Sequence, residues 1–257
     1  MTEKQNPVKL TVENDVAYIT LDAPPLNIFT AAIMGGINEA LVKIAADKSV
    51  KALAFKANGK AFSAGADVGE HHPDKATGMI SAFSRMFTLL GELQIPVVMA
   101  VDGAALGAGF ELVMMADILL ASDRATFGQP EIRLGFFAPF AVAYLPQLVG
   151  QARAMEITCS GRTYSAEQMH QFGFVSHVVA ADELEGVLES TLRDFRKASP
   201  LVMRMNVRIL KKLRDKSFEP AHKEAEKVFL EELMASEDVL EGIASFYEKR
   251  KPDWKNR

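Results

Sequence analysis

A chain of 257 residues, 49% hydrophobic and 24% charged, is long enough for one large domain with a substantial core, and its composition is globular throughout. A formal net charge of -4 excludes a general electrostatic attraction to nucleic acid or to an anionic membrane. No apolar run reaches membrane-spanning length, residues 1–7 lack the apolar core of a signal peptide, and the lone Cys159 cannot form an internal disulfide, so the expectation is a cytoplasmic protein.

The first predicted elements are strands over residues 8–12 and 16–21, joined by the polar turn Glu13-Asn14-Asp15. After the break at Pro24-Pro25, Thr30 is placed to cap a helix in which Ile33, Ile37, Leu41 and Ile44 recur at helical spacing. A strand over 51–56 follows, then the small-residue loop Ala61-Phe62-Ser63-Ala64-Gly65-Ala66-Asp67, which allows a ligand close to the backbone. A helix over 76–93 leads into a strand over 97–101, and this alternation predicts stacked βα units. Residues 106–131 read as a tight Gly turn, a buried helix starting near Ala108, a buried strand and a second turn.

From Leu145 onward the pattern is mostly helical, with one short strand at 175–179. Ser165 with Gln168 is a capping-box signal, Ser199-Pro200 pairs an N-cap with Pro at the first helical position, and Ser236 opens a final helix. There is no low-complexity linker and no repeat, so the expected organisation is a core over 1–198 and a helical C-terminal part over 199–257. The latter carries Leu201, Met203, Ile209, Leu210 and Leu213, apolar residues that need something to pack on, such as a neighbouring subunit.

Glu111 stands out chemically because it sits among Phe110, Leu112 and Val113. Burying an ionised carboxylate costs several kcal/mol unless it is paired or neutralised. Taken alone, such a residue is more often a buried ion-pair partner. Its spacing from Ala108 places the two on one helical face, where a free first-turn N–H and the carboxyl would share a pocket. The cluster Asp67, Glu70, His71, His72 and Asp74 has two bland readings and one sharp one. A metal site would use Asp67 and His71 on one face, yet consecutive Glu-His-His cannot all point inward, which favours a polar rim or solvated loop; the alternative is that His71 or His72 gates the acyl site.

Four blocks in order carry a resemblance. Residues 61–67, 96–103, 105–118 and 127–135, followed by Gly161-Arg162, Phe172-Gly173-Phe174-Val175 and Tyr247-Glu248-Lys249-Arg250, resemble the enoyl-CoA hydratase (crotonase) family over nearly the whole chain. The resemblance implies an α/β fold, a crotonase-type ββα spiral core with a helical C-terminal region, and assembly as a homotrimer or dimer of trimers. It implies an acyl-CoA thioester as the substrate, with coenzyme A part of that substrate, no other cofactor and no metal. Backbone N–H groups of Ala66 and Ala108 would form an oxyanion hole. Glu111 and Glu131 would be the catalytic carboxyls, Glu111 as base on water and Glu131 as proton donor. Ala64, Gly65, Asp67, Val68 and Gly107 would border the substrate, and Lys249 would lie near the CoA phosphates.

Narrower blocks, Glu70-His71-His72-Pro73-Asp74, residues 127–139 and residues 230–236, are similar to members that hydrate a cyclic dienoyl-CoA in anaerobic benzoyl-CoA breakdown. Where family hydratases turn Gly- and Thr-rich after the second Glu, this chain has Phe136, Phe137, Ala138, Pro139 and Phe140. Those apolar residues are expected to reshape the acyl pocket for a flat ring and to keep bulk water from an enolate. The rival readings are a general enoyl-CoA hydratase or isomerase and, in another class, a non-catalytic CoA-thioester- or RNA-binding member of the fold.

Overall fold

The computed structural model describes residues 6–257; residues 1–5, part of the stretch read for a leader, lie outside them. Strands β1 (Val8–Glu13) and β2 (Val16–Leu21) pair antiparallel as the expected hairpin. Its two turn residues, Asn14 and Asp15, have φ of 49° and 64°, the left-handed conformation that a two-residue turn requires and that Asn and Asp tolerate. Helix α1 (Ala31–Ala46) starts at Thr30, whose hydroxyl accepts from the Ile33 N–H.

From there the chain repeats one unit. Each turn contributes a strand to a large sheet, then a short strand to a small one, then a helix. The first turn holds β3 (Ala52–Ala57), β4 (Ala61–Ser63) and α2 (Ala76–Glu92). The second holds β5 (Val97–Val101), β6 (Ala104–Leu106) and α3 (Ala108–Val113); the third holds β7 (Ile118–Ser122), β8 (Thr126–Gly128) and α4 (Pro139–Val149). The chain continues through α5 (Gln151–Ser160), β9 (Thr163–Ser165), α6 (Ala166–Gln171), β10 (His177–Val179) and α7 (Leu184–Arg196). The large sheet has the order β1-β2-β3-β5-β7-β10 and is parallel beyond the hairpin; the small one has the order β4-β6-β8-β9. This is the expected ββα spiral.

The large sheet is covered on both faces, which explains its nearly unbroken apolar strands. Ala17, Ile19, Leu53 and Phe55 face the main core with α1 and α2, while Val16, Tyr18, Ala52 and Ala54 alternate to the other face against Leu184, Leu188 and Leu192 of α7. The Tyr18 hydroxyl donates to Glu189 (2.7 Å) and accepts from Arg196 (2.7 Å), tying α7 across that face.

Two expectations shift. The helical part begins at Pro139 rather than 145, and β9 interrupts it, because its three residues complete the small sheet by pairing with β8. The strand expected over 175–179 is confined to His177–Val179. Beyond the spiral come α8 (Pro200–Leu213), α9 (Phe218–Val228), a π-helical turn (Phe229–Leu233) and α10 (Glu237–Glu248). Lys211 on α8 donates to the carbonyls of Leu90 and Leu93, fastening that helix to the end of α2. Among the described residues no helix is long and apolar enough to cross a membrane.

Candidate active site

The short helix α3 depends on what precedes and underlies it. Gly107 has φ 53° and ψ -124°, a conformation an L side chain rarely adopts, and its carbonyl accepts from the Glu111 N–H (2.8 Å). A Cβ there would lie 2.2 Å from Glu131 Oε1, so the missing side chain is the room in which the second carboxyl sits. Two residues on, a Cβ at Gly109 would lie 2.7 Å from the Ser63 carbonyl, so α3 rests directly on β4.

That contact brings together the two residues expected to form the oxyanion hole. Ala108 is the first residue of α3 and its N–H has no place in the helical ladder. Ala66 forms a parallel bridge with Phe29, in which the Gly65 carbonyl and the Asp67 N–H are the bonded groups. The N–H of Ala66 therefore points away from Phe29, as alternate groups along a strand do. Both alanines, with Glu111, Glu131, Phe136 and Phe137, border one cavity of about 390 Å³.

Glu111 is 6% exposed. Its Oε1 accepts from the Ala141 N–H (2.9 Å), at the start of α4. Burial pushes the carboxyl up to about 7; the N–H groups of Ala141 and Phe140 work against that rise, and the charge of Glu131 adds to it. Glu131 is placed by a 3-10 turn (Pro130–Leu134) that Pro130 opens and Gly135, at φ 83°, closes. Burial raises its pKa as well, opposed by a backbone hydrogen bond and by the charge of His71. Gln129, 2% exposed, completes the arrangement: oriented to satisfy its neighbours, its amide donates to Glu131 Oε2 (3.1 Å) and to the Gly107 carbonyl (3.2 Å).

Glu111 also borders a second, aromatic cavity of about 460 Å³, formed by Phe83, Phe87, Phe140, Ile80, Pro139 and Ala143 with the hydroxyl-bearing Ser84 and Thr88. Phe87 and Phe140 stack face to face there, centroids 3.8 Å apart and 15° from parallel. Sequence reading placed Phe83 and Phe87 only in a helix and gave Gln129 no role. The i, i+4 spacing of the two Phe residues on α2 was the signal available for a shared face.

The other expected residues divide. Gly65 and Ala64 shape the loop, the Ala64 N–H being bonded to the Leu26 carbonyl (2.9 Å). The Asp67 carboxylate is turned to the Gly69 N–H (2.7 Å) and Val68 is exposed, so neither borders the inner cavity. Phe140 joins the aromatic cavity rather than the one holding Glu131, and Phe137, 66% exposed, forms a rim more than a wall. Lys249 caps the end of α10 in a left-handed conformation and borders neither cavity. In the histidine loop, His72 pairs with Asp74, and among the described residues no three potential ligands gather as a metal site.

A ββα spiral whose small sheet leads into a helix start, beside one buried and one half-buried carboxyl, defines an architectural class. A solved enoyl-CoA hydratase from Mycobacterium smegmatis has the same fold, with a TM-score of 0.89 and 28% identity, covering 96% of this chain and 98% of that one. The enoyl-CoA hydratase/isomerase family model matches residues 11–257, and the chain belongs to that family. It is 34% identical to the cyclohexa-1,5-dienecarbonyl-CoA hydratase of Thauera aromatica over 259 aligned positions, covering 100% of both chains. It is 36% identical to a probable enoyl-CoA hydratase of Rhizobium meliloti, covering 94% of this chain and 95% of that one. Family membership and the hydratase names of these relatives support a hydro-lyase.

Proposed function

We propose that the chain hydrates cyclohexa-1,5-diene-1-carbonyl-CoA to 6-hydroxycyclohex-1-ene-1-carbonyl-CoA by 1,4-addition of water, a step of benzoyl-CoA degradation. The observation that carries the proposal is the pairing of two upward-shifted carboxyls, Glu111 buried and Glu131 half-buried, with two outward backbone N–H groups on one cavity, beside an aromatic hollow. The thioester oxygen accepts from Ala66 and Ala108. Glu111, which burial holds neutral up to about pH 7 against the opposing Ala141 N–H, takes a proton from water once it is ionised. The resulting hydroxyl bonds to the β-carbon, and the displaced electron pair runs to the thioester oxygen as a dienolate. Glu131 then gives its proton to the far carbon of the diene. The CoA moiety is part of the substrate and the scheme needs no further cofactor.

The apolar lining by Phe83, Phe87, Phe136 and Phe140 supports a flat ring as the acyl group. The general name of the Rhizobium meliloti relative favours a second reading, hydration of a short straight-chain enoyl-CoA. Product formation from the cyclic diene and from crotonyl-CoA, measured side by side with wild type and Glu111→Gln, separates the two. Selective turnover of the diene, rising with pH through about 7 and lost in the variant, is the expected result. Equal or faster hydration of crotonyl-CoA overturns the ring assignment.

We also propose a homotrimer or dimer of trimers, in which apolar residues that a single chain leaves open are covered. Leu240, Ile243, Phe246 and Tyr247 of α10 and its end, with Phe218, Phe229 and Leu230 before it, are all exposed. Lys249 would then reach the CoA phosphates only across a subunit boundary.

A further inference from the structure

We infer that His71 is a positioning residue acting through Glu131: it carries protons between that carboxyl and outside solvent while a thioester fills the cavity. The inference rests on the hydration reading above. One hydration leaves Glu111 with a proton taken from water and Glu131 without the one it gave to carbon. Before the next turnover the first must lose a proton and the second must gain one. A bound thioester fills the mouth of the inner cavity, so Glu131 needs another route to solvent.

The wall of the cavity offers one. A third hollow of about 510 Å³ is lined by the histidine loop, and among the described residues only His71, Pro73 and Phe136 border both spaces. Of those three, His71 alone has an exchangeable proton. Its Nδ1 lies 3.1 Å from the Asp67 carbonyl, an acceptor that keeps the proton on Nδ1 and leaves Nε2 as the nitrogen with a lone pair. Phe136 holds the ring from the side, centroids 4.9 Å apart. On the inner side the imidazole and Glu131 line the same cavity.

The chemistry balances without another reactant. Nε2 takes a proton from water in the outer hollow, giving an imidazolium, and passes it to the Glu131 carboxylate, while the proton that Glu111 releases to solvent neutralises the hydroxide left behind. The charged groups around the route are Glu131 and Glu111 inside, and Lys75 and the His72–Asp74 pair outside. The Asp67 carboxylate is engaged by the Gly69 N–H.

The test runs the reaction backward. 6-Hydroxycyclohex-1-ene-1-carbonyl-CoA is incubated in D2O, and deuterium in the recovered starting thioester is compared with the amount dehydrated. In wild type, the proton Glu131 takes from carbon exchanges with solvent, and the thioester that re-forms carries deuterium. In His71→Gln the same proton returns to the carbon it left. The ratio of exchange to dehydration should fall about tenfold or more, with KM unchanged and added imidazole restoring the ratio. Phe136→Ala in the His71→Gln background should restore exchange by opening the partition. A ratio unaltered by His71→Gln in an active enzyme overturns the role of His71. Failure of the wild type to dehydrate this thioester overturns the substrate reading instead.

Discussion

Glu111 is held at a position that favours its neutral form, and the consequence for stability has a definite sign. Its ordinary pKa of 4.5 rises to about 7 in the folded chain, so between those values the native state binds more protons than the unfolded one. Stability attributable to this group is therefore greatest below pH 4.5, declines as pH rises towards about 7, and stays at its floor above. The difference corresponds to up to about 3 kcal/mol. Glu111→Gln keeps an oxygen for the Ala141 N–H and removes the charge. It should abolish turnover yet raise the melting temperature by several degrees at pH 8, with the gain vanishing at pH 4.5. Thermal melts at the two pH values check this; an equal shift at both would show that ionisation is not the cause.

Asp238 does for the C-terminal elements what Thr30 does for α1, but over longer range. Buried at the start of α10, it accepts from the Ser199 hydroxyl (2.5 Å) that caps α8 and from the N–H groups of Lys255 (2.7 Å) and Asn256 (3.0 Å). Asp238→Ala leaves the buried Ser199 hydroxyl and two part-exposed N–H groups without their acceptor and should cost about 1–3 kcal/mol in urea unfolding, where Glu237→Ala at the exposed neighbour should cost under about 1. The caps themselves were legible in the sequence, at Thr30, Ser165 with Gln168, Ser199 and Ser236, because a cap is settled by residues three apart. The small sheet was not legible. Its strands are three residues long, too short for a period of two to register, and each is defined by a partner far along the chain. Glu111 was conspicuous as a charge among apolar residues and drew in Ala108 by helical spacing, whereas the roles of Glu131 and Ala66 came only through family resemblance. Gln129 is an amide between Gly and Pro, and nothing local shows that a turn will set it beneath both Glu131 and the Gly107 carbonyl.

At the scale of the molecule, the two faces of the large sheet are satisfied while the last helix is not. Phe246 and Tyr247 are each 79% exposed in the single chain, an arrangement an isolated protein seldom sustains for adjacent aromatics. Light scattering behind a sizing column should give a mass three or six times that of the 28.1 kDa chain. Phe246→Asp should lower it, with helix content kept. A monomeric wild type at micromolar concentration would sink the assembly proposal and leave the cavity and its carboxyls as they stand.

The vacancy at Gly107 makes two distant sequence positions heritable only as a pair. Since the space a methyl group would take is held by Glu131 Oε1, mutation can proceed in one order: residue 131 must shorten before residue 107 can enlarge. In a lineage that abandons the second carboxyl, alanine at 107 then faces only the strain of its positive φ. Once alanine is in place, restoring glutamate at 131 no longer restores the site, and the loss becomes a ratchet.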